Sequence, residues 1–358
     1  MIQKDMERID DAGVVRQGEG LDAARIEAFL KDTVTDLPKG LILRQFPGGN
    51  SNLTYLLRFG DRDLILRRPP FGRKAKGSHD MGREYRVLRA LYPVFPYCPR
   101  PLAYTEDESV IGCPFFVMER VRGLVIRRGL PPGLALTPAQ GRKLCENLAE
   151  LQAALHAIDY KAVGLEGFGR PEGYVKRQVE GWIERFRQAR TPDAPDCEEV
   201  MGWIAANKPA DSGRASVIHN DFKLDNVVVD EQDPTRIVAV LDWEMATIGD
   251  PLMDFGNILA YRVERDDPPE MDFIRFMPPE IEFSLTRKEL ADVYAAKARR
   301  PLEDMTYFYC FGLFRLAAIE QQIYYRYYHG QSREERFAGM IDKVRVLEKT
   351  ALRAIAAA

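Results

Sequence analysis

The stretch VIHNDFKLDNVVVDEQDPTRIVAVLDWE, residues 217–244, decides the fold that we expect for this chain. Two short apolar runs, NVVVD and RIVAVLD, are joined by EQDPT, a pattern that is typical of a β-hairpin. His219 and Asp221 precede the first run, Asn226 opens it, and Asp242 ends the second. In an antiparallel hairpin the residue entering the first strand lies beside the residue leaving the second. We therefore expect Asn226 and Asp242 to be neighbours on strands ~4.8 Å apart.

The chemistry of these side chains indicates a phosphate-handling site. An amide oxygen and a carboxylate can both bind magnesium, at ~2.1 Å, while water and substrate phosphate complete the shell. Asp221 lies five residues before Asn226 and can accept the proton of a substrate hydroxyl. Lys223 can place a positive charge beside a transferring phosphoryl group. The spacing His-x-Asp-x-x-x-x-Asn also arises by chance, but the Asp-Trp-Glu that ends the next strand favours the functional interpretation.

Composition sets limits on what the chain can do. Its 358 residues suffice for two lobes, each with a core of its own. A net charge of −3 gives no general reason to expect nucleic acid or a membrane surface as partner. The sequence shows neither a secretory signal nor an apolar run near the ~20 residues of a bilayer span, so we expect a cytoplasmic protein. Its five scattered cysteines indicate reduced thiols, not disulfides or a zinc site.

The order of the elements predicts an α+β fold. Strand-like segments LILRQF, SNLTYLLRF and DLILRR are followed by the helical pattern DMGREYRVLRALY and two more strand-like runs, RPLAY and PFFVMERV. Beyond these runs the pattern is mostly helical, and Thr137, Pro138 and Gln140 predict a capped helix start. We expect an N-terminal helix and a β-rich lobe with a five-stranded antiparallel sheet over 1–119, and a larger α-helical lobe over 120–358.

HNDFKLDN and LDWE resemble the catalytic and metal loops of the aminoglycoside phosphotransferase-like family, a branch of the protein-kinase-like fold. Protein kinases carry His-Arg-Asp, a Lys two residues past the Asp and an Asn five residues past it. His219, Asp221, Lys223 and Asn226 have that spacing, and Asp242 stands where kinases have their metal-binding Asp. The resemblance implies a two-lobed fold, ATP and Mg²⁺ as cofactors, and a small-molecule hydroxyl as the acceptor of phosphate.

The chain also departs from the protein-kinase pattern. Trp243 and Glu244 replace Phe-Gly, and no Ala-Pro-Glu follows, so a kinase-type activation segment is not expected. In the related stretch IGDPLMD, the resemblance implies that Asp254 braces the catalytic loop by accepting backbone N–H bonds. The alternative is that Asp254 is only an acidic residue in the first turn of a helix, where the helix dipole favours it.

The first half should supply a nucleotide clamp. FPGGNSNLTY lies between the first two strands, where glycines allow close approach of the backbone to phosphate and polar side chains offer donors. The same letters also suit an ordinary hairpin turn. The residues of this loop that we expect to contact the nucleotide are Gly48, Gly49, Ser51, Asn52 and Thr54.

The resemblance assigns further nucleotide contacts. Arg67 occupies the place of the kinase lysine that grips the α/β-phosphates, and Glu84 on the following helix would pair with it. The alternative is that Glu84 is a surface helix residue, but its position directly after the Arg67 strand favours the ion pair. Arg68 points to the other face of the strand, where we expect it to be solvated. In PFFVMERVRG, the backbone from Glu119 to Val121 would hydrogen-bond the adenine.

Longer stretches narrow the resemblance to one subfamily. GGNSNLTYLL, REYRVLRAL, GFGRPEGYVKRQVEGW and FGLFRLAAIEQQIYYR resemble the phosphotransferase-like domain found alone in bacteria and fused to acyl-CoA dehydrogenases in animals. The fusion implies that a hydroxylated acyl compound receives the phosphate. An amino alcohol, a sugar or an aminoglycoside remains an alternative acceptor.

Other interpretations remain open. The chain could be a non-catalytic nucleotide-binding regulatory module, whereas a protein kinase is disfavoured by the short segment after Asp242. The sequence does not specify ATP over GTP, the oligomeric state or the acceptor pocket. Arg315, Gln321 and Gln322 are weak candidates for that pocket, and the aromatic residues around them are expected in the core. We interpret His156 as an ordinary helix residue and His219 as a brace of the catalytic loop.

Overall fold

The structure is a computed structural model that describes residues 12–47, 52–72, 80–210, 213–302 and 304–358. Contacts between residues divide the chain into two compact units. The first unit runs to Ile126 and includes Pro131–Leu134 and Asn226–Ala246; the second comprises Arg127–Leu130, Ala135–Asp225 and Thr247–Ala358. The hairpin quoted above is therefore grouped with the N-terminal sheet, which chain order alone does not indicate. The lobe boundary between residues 119 and 120 stays a prediction.

The strands and helices that the sequence predicts occur in the expected order. The strands are β1 (Leu41–Gln45), β2 (Leu53–Phe59), β3 (Arg62–Arg68), β4 (Pro101–Thr105), β5 (Phe115–Glu119), β6 (Ser216–Ile218), β7 (Val227–Val229), β8 (Ile237–Val240) and β9 (Thr247–Gly249). The helices are α1 (Ala23–Thr33), α2 (Met81–Leu91), α3 (Glu108–Ile111), α4 (Pro138–His156), α5 (Tyr174–Ala189), α6 (Glu198–Ala206), α7 (Pro251–Tyr261), α8 (Pro279–Glu282), α9 (Arg287–Ala298), α10 (Thr306–Tyr328) and α11 (Met340–Ala356).

A five-stranded antiparallel sheet forms the first unit, in the order β1-β2-β3-β5-β4. Gly60 has a φ of +59° and lets the chain reverse in two residues between β2 and β3. One face of the sheet packs on α1, where Ile26 and Leu30 join Tyr55 and Leu66 in a fully buried core. The expected sheet, with one helix inserted after its third strand, is confirmed.

The hairpin β7–β8 is antiparallel, with Val227 opposite Val240. Its register differs by one residue from our expectation, because the Asn226 carbonyl accepts from the Leu241 N–H at 2.7 Å. Asn226 therefore stands opposite Leu241, and Asp242 is the next residue along. The hairpin joins the rest of the first unit through a β-bridge between Leu124 and Val229.

Helices dominate the second unit. Thr137 and Gln140 form the predicted capping box at the start of α4, whose leucine stripe is buried. The short pair β6–β9 brings two chain segments together, since Ser216 pairs with Gly249. Because the pair is antiparallel, the loop after β6 leaves from the end where β9 begins, and α7 follows from the other end of this short pair. Among the helices that the described residues form, none combines the length and apolar character needed to cross a bilayer.

Candidate active site

Arg67 is the centre of a buried charge cluster in the first unit. It lies near the end of β3, opposite Thr54 of β2, and its side chain is 9% exposed. One terminal nitrogen is 2.6 Å from Glu84 Oε1, and the other is 2.8 Å from Asp242 Oδ1. The ion pair expected between Arg67 and Glu84 is thus present, and it extends to the carboxylate at the end of the hairpin. What the pair binds stays a prediction.

Glu244 is a member of the cluster that sequence reasoning missed. Its Oε2 lies 3.9 Å from the Arg67 guanidinium and accepts a hydrogen bond from Asn52 Nδ2 at 2.6 Å. Asn52, expected to face phosphate, is buried against this carboxylate. The signal available was the second acid of Asp-Trp-Glu, two residues past Asp242. Gly48, Gly49 and Ser51 lie outside the described residues.

The cluster carries more negative than positive charge. Three carboxylates, from Glu84, Asp242 and Glu244, surround one guanidinium within the first unit. Burial raises the pKa of Glu84 to about 8, and the neighbouring Asp242 and Glu244 add to this effect although Arg67 opposes it. Even with Glu84 protonated, the carboxylates of Asp242 and Glu244 outnumber the one guanidinium of the cluster, which favours the arrival of another cation.

The donor set fits magnesium better than a cage built by protein alone. Among the described residues, no group of three or more His, Cys, Asp or Glu side chains is placed to hold a metal. Magnesium needs few protein ligands, because water and phosphate oxygens complete its shell. The register of the hairpin brings the backbones of Asn226 and Asp242 close together at its open end, and an amide oxygen with a carboxylate would suit this mode of binding. Their role as ligands stays a prediction.

Local structure explains where the Asp242 carboxylate points. Asp242 has a φ of +64°, so the chain turns sharply as it leaves β8 into a 3-10 turn over Trp243–Met245. Trp243 anchors that turn, since it is buried, packs edge-on against Phe95 and donates from Nε1 to the Val240 carbonyl at 2.8 Å. The reversal directs the Asp242 side chain to Arg67.

The expected adenine-binding segment is the end of β5, which lies between β3 and β4 in the sheet, and the residues that follow it. The N–H of Glu119 donates to the Arg100 carbonyl at 2.9 Å, and the N–H of Arg120 points to the Asp63 carbonyl at 3.4 Å. Glu119 and Val121 are half-buried. Their contact with a base stays a prediction.

The expectation that Arg68 is solvated is wrong. Arg68 is 4% exposed, donates from Nε to the Pro69 carbonyl and stacks on the Phe71 ring at 3.7 Å. Arg68 lies two residues after Leu66, so both side chains project from the sheet face that α1 covers. Strand alternation predicts this face but not that the face is covered.

In the second unit, Asp254 braces the loop that follows β6. Its carboxylate accepts from the backbone N–H of His219 at 3.0 Å and of Asn220 at 2.7 Å, as the resemblance implied. Asn220 has a φ of +65°, a left-handed conformation that these bonds help to hold. Burial would raise the pKa of Asp254, but its hydrogen bond to His156 and the nearby imidazoles outweigh burial and lower the pKa to about 2.

The interpretation of His156 as an ordinary helix residue is wrong. Its Nε2 lies 3.0 Å from Asp254 and its Nδ1 lies 2.7 Å from the Tyr294 hydroxyl. Gln152, one turn earlier on α4, also donates to Asp254 at 3.2 Å. A helix pattern places both residues on one face but does not identify the acid that they meet.

Asp221 and Lys223 are close together on the braced loop. Lys223 Nζ lies 3.4 Å from Asp221 Oδ2 and 3.6 Å from Asp225 Oδ2. Burial would lower the pKa of Lys223, but Asp221, Tyr261 and Asp225 outweigh it and raise the pKa, so the ammonium stays charged. The second oxygen of Asp221 accepts from the Tyr261 hydroxyl at 2.9 Å, a contact that sequence reasoning missed.

His219 and Arg315 hold the backbone of the same loop. His219 is fully buried, and its Nδ1 accepts from the N–H of Asp221 at 3.3 Å, which suits a brace. Arg315 on α10 donates to the Asn220 carbonyl at 2.7 Å. Of the weak acceptor candidates, Gln321 is buried against the Ala189 carbonyl and Gln322 binds its own helix at Ala318, so both have structural partners.

Comparison with known families adds to this geometry. A sequence model described as "Phosphotransferase enzyme family" matches residues 42–276. The human protein named acyl-CoA dehydrogenase family member 11 is 31% identical over 337 residues, which cover 92% of this chain and 43% of that protein. Mouse acyl-CoA dehydrogenase family member 10 is 31% identical over 326 residues, covering 89% and 30%. The chain thus spans less than half the length of these curated relatives.

Solved structures share the fold. A Ralstonia eutropha protein classed as an aminoglycoside phosphotransferase has a TM-score of 0.80 at 28% identity, covering 94% of this chain and 99% of its own. A choline kinase from Cryptosporidium parvum has a TM-score of 0.64 at 13% identity, covering 94% of this chain and 96% of its own. A spectinomycin phosphotransferase solved with ADP and spectinomycin has a TM-score of 0.61 at 10% identity, covering 94% of this chain and 99% of its own. The expected protein-kinase-like α+β fold is confirmed.

Proposed function

The chain belongs to the phosphotransferase enzyme family, and from this premise we propose that it transfers the γ-phosphoryl group of ATP to a hydroxyl of a small molecule. The observation that carries the proposal is the loop of the second unit. Asp254 fixes its backbone, and Asp221 and a charged Lys223 stand side by side on it. The carboxylate can accept a proton, and the neighbouring ammonium can stabilise negative charge. This pair suits the transfer of an anionic phosphoryl group to a hydroxyl.

In the proposed reaction, the acceptor oxygen attacks the γ-phosphorus of ATP. The bond between that phosphorus and the bridging oxygen of the β-phosphate breaks, and ADP leaves with the bonding electrons. Asp221 orients the acceptor hydroxyl and takes its proton, while Lys223 offsets charge on the transferring group. His219 holds the loop through its buried ring. Catalysis then consists mainly of positioning and electrostatic stabilisation.

Residues of the first unit would hold the nucleotide and the metal. Asn226 and Asp242 fit a magnesium ion, which when bound neutralises phosphate charge. Arg67, oriented by Glu84, is proposed to grip the α/β-phosphates, and the backbone at Glu119–Val121 to contact the adenine. The loop residues Gly48, Gly49, Ser51, Asn52 and Thr54 complete the proposed clamp.

The acceptor is proposed to be a hydroxylated acyl compound. The curated relatives are named acyl-CoA dehydrogenases, and the part that this chain matches is less than half of each. If the two parts of such a protein act on one compound, that compound carries an acyl group, which supports this class of acceptor. An amino alcohol, sugar or aminoglycoside is the alternative, supported by the names choline kinase and spectinomycin phosphotransferase among proteins of this fold. We propose ATP as the donor, in line with the ADP of the latter complex, and GTP is the alternative.

A mass-shift screen with an Asp221 variant tests the proposal. Hydroxyacyl-CoAs, sugars and amino alcohols are incubated with the protein, Mg²⁺ and ATP or GTP, and products gaining one phosphoryl group are sought. Asp221→Ala should lower turnover about 10²- to 10⁴-fold and leave ATP affinity largely unchanged. Asp233→Ala, at an exposed residue of the hairpin loop, is the matched control. Full turnover in Asp221→Ala would show that its assigned role is wrong, and binding of ATP without transfer would favour a regulatory module.

A further inference from the structure

Tyr261 is a buried phenol that contacts two of the proposed reacting groups, and none of the roles above accounts for it. It is the last residue of α7 and is 7% exposed. Its hydroxyl donates to Asp221 Oδ1 at 2.9 Å. Burial and the neighbouring Asp221 carboxylate raise the pKa of the phenol, so the hydroxyl remains a donor throughout the neutral range.

The ring of Tyr261 also meets the cation. Lys223 Nζ lies 5.5 Å from its centroid and 5.9 Å from the centroid of Phe276. The two rings meet edge to face, with centroids 5.1 Å apart and planes at 76°. An ammonium held over aromatic faces is attracted by their quadrupoles, and its freedom to move is reduced. The aromatic pair thus limits where Nζ can sit relative to Asp221.

The position of Tyr261 on α7 links it to the brace. Asp254 is seven residues earlier on the same helix, which is about two turns, so both side chains project from one face. Asp254 fixes the backbone at His219 and Asn220, while Tyr261 contacts the side chains of Asp221 and Lys223. A single rigid helix therefore sets both the course of the loop and the direction of its functional groups.

We propose that Tyr261 is a positioning residue for the phosphoryl transfer inferred above, and the inference rests on that function. Its hydroxyl fixes the rotamer of Asp221, so that the carboxylate keeps a constant orientation toward the acceptor. Its ring, with Phe276, holds the Lys223 ammonium next to that carboxylate. The two contacts act on different atoms of Tyr261, so substitutions can separate them.

Three variants distinguish these contributions. Tyr261→Phe removes the hydroxyl and keeps the ring, Tyr261→Leu removes both, and Phe276→Leu removes only the second ring. We expect kcat to fall roughly 10- to 100-fold in Tyr261→Phe and further in Tyr261→Leu, with the KM for ATP unchanged. Phe276→Leu should give a smaller loss of kcat. Tyr309→Phe is the control, since the Tyr309 hydroxyl is buried and has no hydrogen-bond partner among the described residues.

The readout is release of inorganic phosphate from Mg²⁺·ATP with water as acceptor, together with transfer to any acceptor found in the screen. If neither reaction depends on Asp221 in the otherwise unchanged protein, the proposed function fails. If the wild-type protein is active and Tyr261→Phe keeps its kcat, or raises the KM for ATP instead, the role of the hydroxyl is overturned. Equal losses in Tyr261→Phe and Tyr261→Leu would overturn the role of the ring. Circular dichroism of each variant verifies folding, and Tyr261→Phe with Phe276→Leu decides the question if Tyr261→Leu does not fold.

Discussion

At the scale of single residues, Asp254 couples the stability of the chain to pH. Its pKa in the folded protein is about 2, against an ordinary value of 3.8. A depressed pKa contributes stability that is fully present above the unfolded value and is lost as pH falls through about 4 toward 2. The Asp254 carboxylate should therefore contribute to the free energy of unfolding at neutral pH, and much less in acid.

We expect Asp254→Asn to lower the free energy of unfolding by about 2–4 kcal/mol at pH 7, because its amide group would face N–H donors. The difference from wild type should shrink as the pH is lowered from 5 toward 3 (roughly the upper part of the titration). Urea denaturation followed by tryptophan fluorescence at several pH values measures both effects. Asp292→Asn, at an exposed residue of α9, should show neither. A difference that stays constant with pH would contradict the assigned role.

Arg67 offers a second prediction at this scale. Replacing it with Met leaves Glu84, Asp242 and Glu244 without their shared guanidinium, which should destabilise the protein by about 3 kcal/mol. If the cluster attracts cations as proposed, millimolar MgCl₂ should restore part of that loss, and NaCl of equal ionic strength should restore less. Thermal unfolding in the two salts measures the effect. Arg89→Met, on the exposed face of α2, should respond equally to both salts.

At the scale of elements, a close crossing of α7 and α10 holds the catalytic loop from two sides. A Cβ added to Gly312 would lie 2.6 Å from the Gly256 carbonyl oxygen, so the two backbones are nearly in contact. Asp254 on α7 and Arg315 on α10 both bind the loop backbone close to this crossing. Pushing the helices apart should therefore affect stability and activity together.

We expect Gly312→Ala to cost about 1–3 kcal/mol of stability through overpacking, and to lower kcat as the loop loses its two-sided support. Gly202→Ala is a matched control in the middle of α6, where an added Cβ meets nothing within 4 Å. That change should stabilise the protein by up to about 1 kcal/mol through helix propensity. Urea denaturation and phosphate release measure the pair of variants. Equal behaviour of the two would contradict a tight crossing.

Most elements could be predicted from local patterns, because strands and helices carry their own periodicity and end signals. The capping box of Thr137 and Gln140 and the two-residue turn at Gly60 are examples. The one-residue shift that sets Asn226 opposite Leu241 could not be predicted, since register depends on cross-strand pairing that chain order does not specify. The prediction for Arg68 was wrong for a related reason, because strand alternation gives the face of a side chain but not what covers that face.

At the scale of the whole molecule, the candidate site was predictable where it follows a linear motif. His219, Asp221, Lys223, Asn226 and Asp242 were identified by spacing, and resemblance added the partnership of Arg67 with Glu84. Contacts between residues far apart in sequence were missed. Tyr261 is 40 residues from Asp221, and Asn52 is 192 residues from Glu244. Only the folded chain brings such pairs together, so no periodicity or spacing indicates them.

Nucleotide binding should stabilise the whole chain, which provides a test that does not need the acceptor. A ligand that binds only the folded state adds about 2.7 kcal/mol when its concentration is 100 times its Kd. We expect a non-hydrolysable ATP analogue with Mg²⁺ to raise the melting temperature by several degrees.

Asp242→Asn should lose most of that shift in melting temperature, because it removes a proposed magnesium ligand. Asp221→Asn should keep it, because Asp221 is assigned to the acceptor, and Asp233→Asn in the exposed hairpin loop should behave as wild type. A full shift in Asp242→Asn, or the same shift without Mg²⁺, would remove the metal from the proposal and leave the nucleotide. A larger shift with the GTP analogue would instead change the identity of the donor.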